Sequence, residues 1–126
     1  MSDDEILALF DEWNAALQTG DPKQVAALYE PDAILLPTVS NKVRHTPEEI
    51  EDYFVAFVAN GPSGKIDEAN VRHFGQIAIN SGVYTFTFRD GSAVQARFTY
   101  VYRWTGRRWL ITEHHSSRMP ETATTV

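Results

Sequence analysis

Val83–Ser117, VYTFTFRDGSAVQARFTYVYRWTGRRWLITEHHSS, alternates aromatic or aliphatic with polar side chains and breaks only at Asp90-Gly91 and Thr105-Gly106. A period of two interrupted by turn dipeptides marks antiparallel strands joined by hairpins. The same period extends upstream to Lys65. Strands are therefore expected over about 66–79, 83–89, 93–104 and 107–117, with a further turn at Asn80-Ser81-Gly82. Strands longer than the usual five or six residues or so imply a sheet that curls.

Before Lys65 the period is helical. Ser2 and Glu5 have capping-box spacing, and Ile6, Phe10, Trp13 and Leu17 make one apolar stripe that Gly20 ends. Asp21-Pro22 starts a short second helix with Val25, Leu28 and Tyr29 inward, and Pro31 closes it. Ala33–Leu36 is a brief strand cut by Pro37. Thr46-Pro47-Glu48-Glu49 joins an N-cap, a first-turn proline and a capping glutamate, and Ile50, Tyr53, Phe54, Phe57 and Val58 follow on one face. Three helices followed by a meander predict an α+β domain with helices on one sheet face, residues 1–117, and a loosely held tail, 118–126.

Two-residue loops at both hairpins give a register. Phe86 then faces Gln95, Tyr84 faces Arg97, Arg97 faces His114 and Thr99 faces Thr112, and opposed residues share a side. One face carries Tyr84, Phe86, Gln95, Arg97, Thr99, Thr112, His114 and Ser116. The other carries Phe98, Tyr100, Tyr102, Trp109, Ile111, Glu113 and His115. Helices cover only one face, and an aromatic patch of this size is rare on a monomer, so the second face is expected to pair with another copy of the chain.

Composition bounds the function. The chain has 126 residues, enough for one core, with 43% hydrophobic and 22% charged residues. There is no cysteine, so disulfides and thiol chemistry are excluded. A net charge of −6 has the wrong sign for a nucleic-acid binder. No apolar run nears the ~18 residues of a membrane span, and the acidic Met-Ser-Asp-Asp-Glu start is unlike a secretion signal. A cytoplasmic location is expected.

The stretches Ala96–Tyr102, Gly106–Ile111 and His114–Glu121, with Leu28–Ala33, Leu36-Pro37-Thr38 and Tyr53-Phe54, resemble bacterial relatives of the calcium/calmodulin-dependent protein kinase II association domain. These belong to the nuclear transport factor 2-like superfamily and overlap its SnoaL-like and SgcJ/EcaC-like groups. The resemblance implies a cone-shaped, cystatin-like fold: a bent sheet around three helices, a pocket in the cone's mouth, and dimerisation through the outer face. It also implies a pocket for small carboxylates lined by arginines. Those arginine positions fall on Phe86, Thr99 and Ser116 here, which leaves Arg97 as the nearby cation.

Candidate ligand contacts are thus Trp13, Tyr29, Tyr53, Tyr84, Phe86, Gln95, Arg97, Thr99, Thr112, His114 and Ser116. The expected ligand is a small carboxylate or carbonyl-bearing molecule bound without a cofactor. The steroid-isomerase-like relatives use a strand aspartate, which this face lacks, so His114 is the candidate general acid or base of an alternative isomerase, cyclase or dehydratase. A third alternative is an assembly module with a vestigial pocket. His114 and His115 point to opposite faces and cannot share a metal ion. The chain has no kinase motifs and no basic amphipathic helix for calmodulin.

Overall fold

The computed structural model describes residues 2–121. Helix α1 (Asp3–Gln18) and short α2 (Pro22–Ala26) precede strand β1 (Tyr29–Leu36) and helix α3 (Pro47–Ala59). Strands β2 (Ser63–Phe74), β3 (Ile77–Thr87), β4 (Ala93–Trp104) and β5 (Trp109–Arg118) follow. They form one curved, unclosed sheet in the order β1-β5-β4-β3-β2. Residues 122–126 of the expected tail lie outside the described residues, and Arg118 belongs to β5.

The helices start where their caps put them, but α2 ends at Ala26, so Leu28 and Tyr29, expected on it, lie beyond it, and Tyr29 and Pro31 belong to β1. Ser2, Asp21 and Thr46 each cap a helix through a side-chain oxygen that accepts a backbone N–H, from Glu5, Lys23 and Glu49. Ile6, Phe10, Trp13 and Leu17 of α1 and Ile50, Phe54 and Val58 of α3 are buried against the sheet. Each fully buried side chain of this size stabilises by roughly 1.5–3 kcal/mol relative to exposure.

The sheet differs from the sequence expectation in four places. First, Asn80-Ser81-Gly82 is not a turn but the middle of β3; the hairpin turns at Gly75-Gln76, between the paired Phe74 and Ile77. Gly82 is needed for space, because a Cβ there would overlap the Glu68 carbonyl oxygen. The ladder shifts register between Ile66 and Glu68 beside it, the kind of bulge that bends a strand. Second, β1 begins at Tyr29 and pairs with β5 in parallel, so the sheet is mostly rather than wholly antiparallel.

Third, the β3–β4 loop has three residues. Phe88 N–H donates to the Ser92 carbonyl, leaving Arg89-Asp90-Gly91 between them with Gly91 at φ 88°. That is a turn closed by a left-handed glycine, and it pairs Tyr84 with Ala96 and Phe86 with Val94. Fourth, β5 carries a bulge. The β4–β5 turn is Gly106-Arg107, and Tyr102 pairs with Ile111 while Val101 pairs with Glu113, which leaves Thr112 unpaired.

A slip of one residue sends every later side chain to the opposite face. The first slip turns Ala96, Phe98, Tyr100 and Tyr102 inward and leaves Gln95, Arg97 and Thr99 on the outside. The second brings His114 and Ser116 back to the inner face after Trp109 and Ile111. Five of the residues expected at a dimer face, Phe98, Tyr100, Tyr102, Trp109 and Ile111, are therefore core. Glu113 and His115 are exposed on the outer face.

Candidate functional site

The inner face and the three helices enclose a chain of polar groups. Trp13 Nε1–H lies 3.2 Å from the Tyr29 hydroxyl, which lies 2.8 Å from His114 Nδ1. His114 Nε2 is 3.3 Å from the Tyr84 hydroxyl, which donates to Ser116 Oγ at 2.5 Å. Ser116 Oγ in turn bonds Thr38 Oγ1, in the loop after β1. Aromatic rings close around it. Tyr100 stacks on His114 with centroids 4.1 Å apart, and Trp13 meets the imidazole edge-on at 5.7 Å.

The directions of these bonds follow from counting hydrogens. The Trp13 indole only donates, so the Tyr29 hydroxyl accepts from it and must place its own hydrogen on His114 Nδ1. His114 then carries its proton on Nε2 and donates it to Tyr84. The opposite tautomer would leave the buried Tyr29 hydrogen without an acceptor, at about 1–3 kcal/mol. The chain runs one way: Trp13 to Tyr29 to His114 to Tyr84 to Ser116.

Burial holds His114 down to about 3, with a smaller push from His115, so the imidazole is neutral. Burial likewise raises Tyr29 and Tyr84 above the ordinary phenol range. Tyr53, at the rim, is pushed up to about 12 by burial, against the lowering effect of Arg44, whose guanidinium sits 5.3 Å from its ring.

The chain ends at a hollow of about 50 Å³. Trp13, Phe54, Phe86, Ala96 and Leu35 line its depth, and Pro37, Val39, Tyr53, Phe57, Phe88 and Val94 complete the wall. Tyr84, Ser116 and Thr38 supply a bonded cluster of hydroxyls, and Tyr53 carries a fourth at the rim. Among the described residues, no carboxylate and no arginine lines it.

Of the expected ligand contacts, the structure brings Trp13, Tyr53, Tyr84, Phe86 and Ser116 to this hollow and sets Tyr29 and His114 behind it. Arg97 and Thr99 instead border a shallow outer depression with Asn70, Ser81, His115 and Ser117. Gln95 is also outside, donating to Asp67 at 3.2 Å, and Thr112 occupies the bulge. The pairing of Arg97 with His114 does not exist, because Arg97 pairs with Ser117 and His114 with Tyr100. Thr38 and the wall residues Val39, Phe88 and Val94 are absent from the sequence-based expectation. Thr38 reaches Ser116 because Leu36 pairs with His115 in parallel, and no local pattern announces a parallel edge. Among the described residues no group of three or more acidic or histidine side chains could hold a metal ion.

Helices on a curved sheet around an inner hollow define a cystatin-like, nuclear transport factor 2-like domain. Solved structures agree. A cystatin-like nuclear transport factor 2-like protein from Novosphingobium aromaticivorans matches with TM-score 0.78 at 16% identity, covering 95% of this chain and 83% of that one. Aln2 from a Streptomyces species matches with TM-score 0.80 at 15% identity over 94% and 93%. A calcium/calmodulin dependent protein kinase II association domain from Xanthomonas campestris is 51% identical, with TM-score 0.93 over 97% of this chain and 91% of that one. The sequence profile of the calcium/calmodulin dependent protein kinase II association domain spans residues 2–120, and the chain belongs to that family. Comparison with curated proteins gives no match.

Proposed function

We propose that this domain binds a compact, largely apolar small molecule in the mouth of its cone, without a cofactor. The observation that carries this is the aromatic-walled hollow in which Tyr84, Ser116 and Thr38 form one hydrogen-bonded hydroxyl cluster. Binding sites combine mostly apolar walls with a few placed polar groups in this way. A carboxylate loses its basis, because the only strand arginine expected there lies on the other face. Proton transfer is less favoured than binding. His114 has both ring nitrogens engaged by tyrosines and is a weak base at neutral pH.

Xenon under pressure tests the hollow, since it occupies apolar cavities of this scale. Saturable shifts of the Leu35, Val39 and Val94 methyl signals are expected, and Ala96→Leu should abolish them by filling the space. Shifts that stay linear in xenon pressure would contradict the proposal.

We also propose self-assembly, supported by membership of an association-domain family. The surface would be the outer face of the sheet around Arg97, Thr99, Val101, Glu113 and His115 rather than its aromatic side. Sedimentation giving a dimer or larger species, weakened by Thr99→Arg, is expected. A monomer at micromolar concentration would rule it out. No helix among the described residues is long and apolar enough to cross a membrane, and a cytoplasmic location remains part of the proposal.

A further inference from the structure

Ser116 and Thr38 bond to each other and both line the hollow. Between them they carry two hydroxyl hydrogens, and their mutual bond uses one whichever residue donates. The direction of the buried chain decides what happens to the other. Tyr84 donates to Ser116, so Ser116 has no need to send its hydrogen inward. One hydrogen is left over at the mouth. Were the chain reversed, Ser116 would donate to Tyr84 and Thr38 to Ser116, and the pair would offer only lone pairs.

We infer that the Thr38–Ser116 hydroxyl pair is the specificity element of the hollow, and that it selects a neutral ligand with a hydrogen-bond acceptor, of the ketone, aldehyde, ester or lactone class. This rests on the proposed cone-mouth binding site. The determinant lies at the other end of the chain. Tyr29 is bonded by an indole that cannot accept, its hydrogen goes to His114, and each later group passes the polarity on to the mouth. A carbonyl fits such a site because it meets the spare hydrogen and brings no donor or charge of its own. A hydrocarbon of the same shape leaves that hydrogen unpaired in an apolar hollow.

Three five-membered rings separate the cases: cyclopentanone accepts, pyrrole donates through N–H, and cyclopentane does neither. Each is titrated into the protein while the methyl signals of Leu35 and Val94 are followed. Cyclopentanone is expected to bind about fivefold tighter than cyclopentane, the net effect of one hydrogen bond. Thr38→Val alone should keep the preference, since Ser116 then holds the spare hydrogen, and the double variant Thr38→Val, Ser116→Ala should erase it. Pyrrole binding while cyclopentanone matches cyclopentane would show the reversed chain and overturn the inference. Equal binding of all three would overturn it while leaving the hollow as a binding site. No binding by any of them would remove the site itself, and the inference with it.

Discussion

The phenol ring of Tyr100 lies flat on the imidazole of His114, 4.1 Å between centroids and 18° between planes. Strict alternation counted from the β4–β5 turn would put these two side chains on opposite faces. Their contact exists because the unpaired Thr112 shifts the rest of β5 by one residue. That one irregularity carries His114 from solvent into the core and completes the line of groups from Trp13 to Thr38.

A neutral histidine in the core makes the fold sensitive to mild acid. With its folded value depressed to about 3, His114 binds no proton in the native state where the unfolded chain, near 6.5, binds one. The stabilisation is complete above pH 6.5 and is lost progressively as pH falls toward 3, a few kcal/mol in order of magnitude. Urea unfolding at pH 7 and pH 5 should show wild type losing stability while His114→Gln loses clearly less. Equal losses would mean that His114 is not buried neutral.

Deleting Thr112 removes the bulge. Ile111, Glu113 and His114 then oppose Tyr102, Val101 and Tyr100 in unbroken alternation, so His114 and Ser116 stay inward. Deleting Thr112 and Glu113 together would instead turn them outward and strip Tyr29 and Tyr84 of their shared partner. A loss of roughly 3 kcal/mol or more is expected in urea unfolding of the double deletion, against about 1 kcal/mol or less for deletion of Thr112 alone. A double deletion as stable as the single one would refute the register.

Much of the fold is legible in the sequence. Ser2, Asp21 and Thr46 announce the helix starts, and the stripe Ile6, Phe10, Trp13, Leu17 announces the buried face, because caps and helical periodicity are local. Tyr84, Phe86, His114 and Ser116 read as inward-facing, and they are buried. What fails is parity between strands. Asp90-Gly91 looks the same in a two-residue and a three-residue loop, and nothing in Ile111-Thr112-Glu113 distinguishes a bulge from a straight strand. Each leaves a one-residue offset, which is why the sequence puts Arg97 inside and Tyr100 outside. Thr38 could be found only through the parallel β1–β5 edge, a contact between distant segments.

Gly82 has the composition of a turn residue but serves as clearance. A methyl group there would collide with the Glu68 carbonyl oxygen, and backbone cannot swing aside as a side chain can. Gly82→Ala is therefore expected to cost roughly 3 kcal/mol or more, or to prevent folding, as judged by thermal melting. An unchanged melting temperature would show that β2 and β3 do not approach as described.

Arg97 offers a control on the face assignment. It is exposed on the outer side of β4, and Arg97→Ala should leave monomer stability within about 0.5 kcal/mol. Small-molecule occupancy of the hollow, followed by the Leu35 and Val94 methyl signals, should be unchanged. A loss of that occupancy in Arg97→Ala would return the guanidinium to the cone.

The most direct measurement is a nitrogen-15 correlation spectrum of the His114 ring between pH 8 and pH 5. A neutral imidazole with its proton on Nε2 throughout is the expected result, since Tyr29 holds Nδ1 and Tyr84 takes the Nε2 hydrogen. A proton on Nδ1, or a titration centred near pH 6.5, would break the direction of the chain and with it the account of the cone.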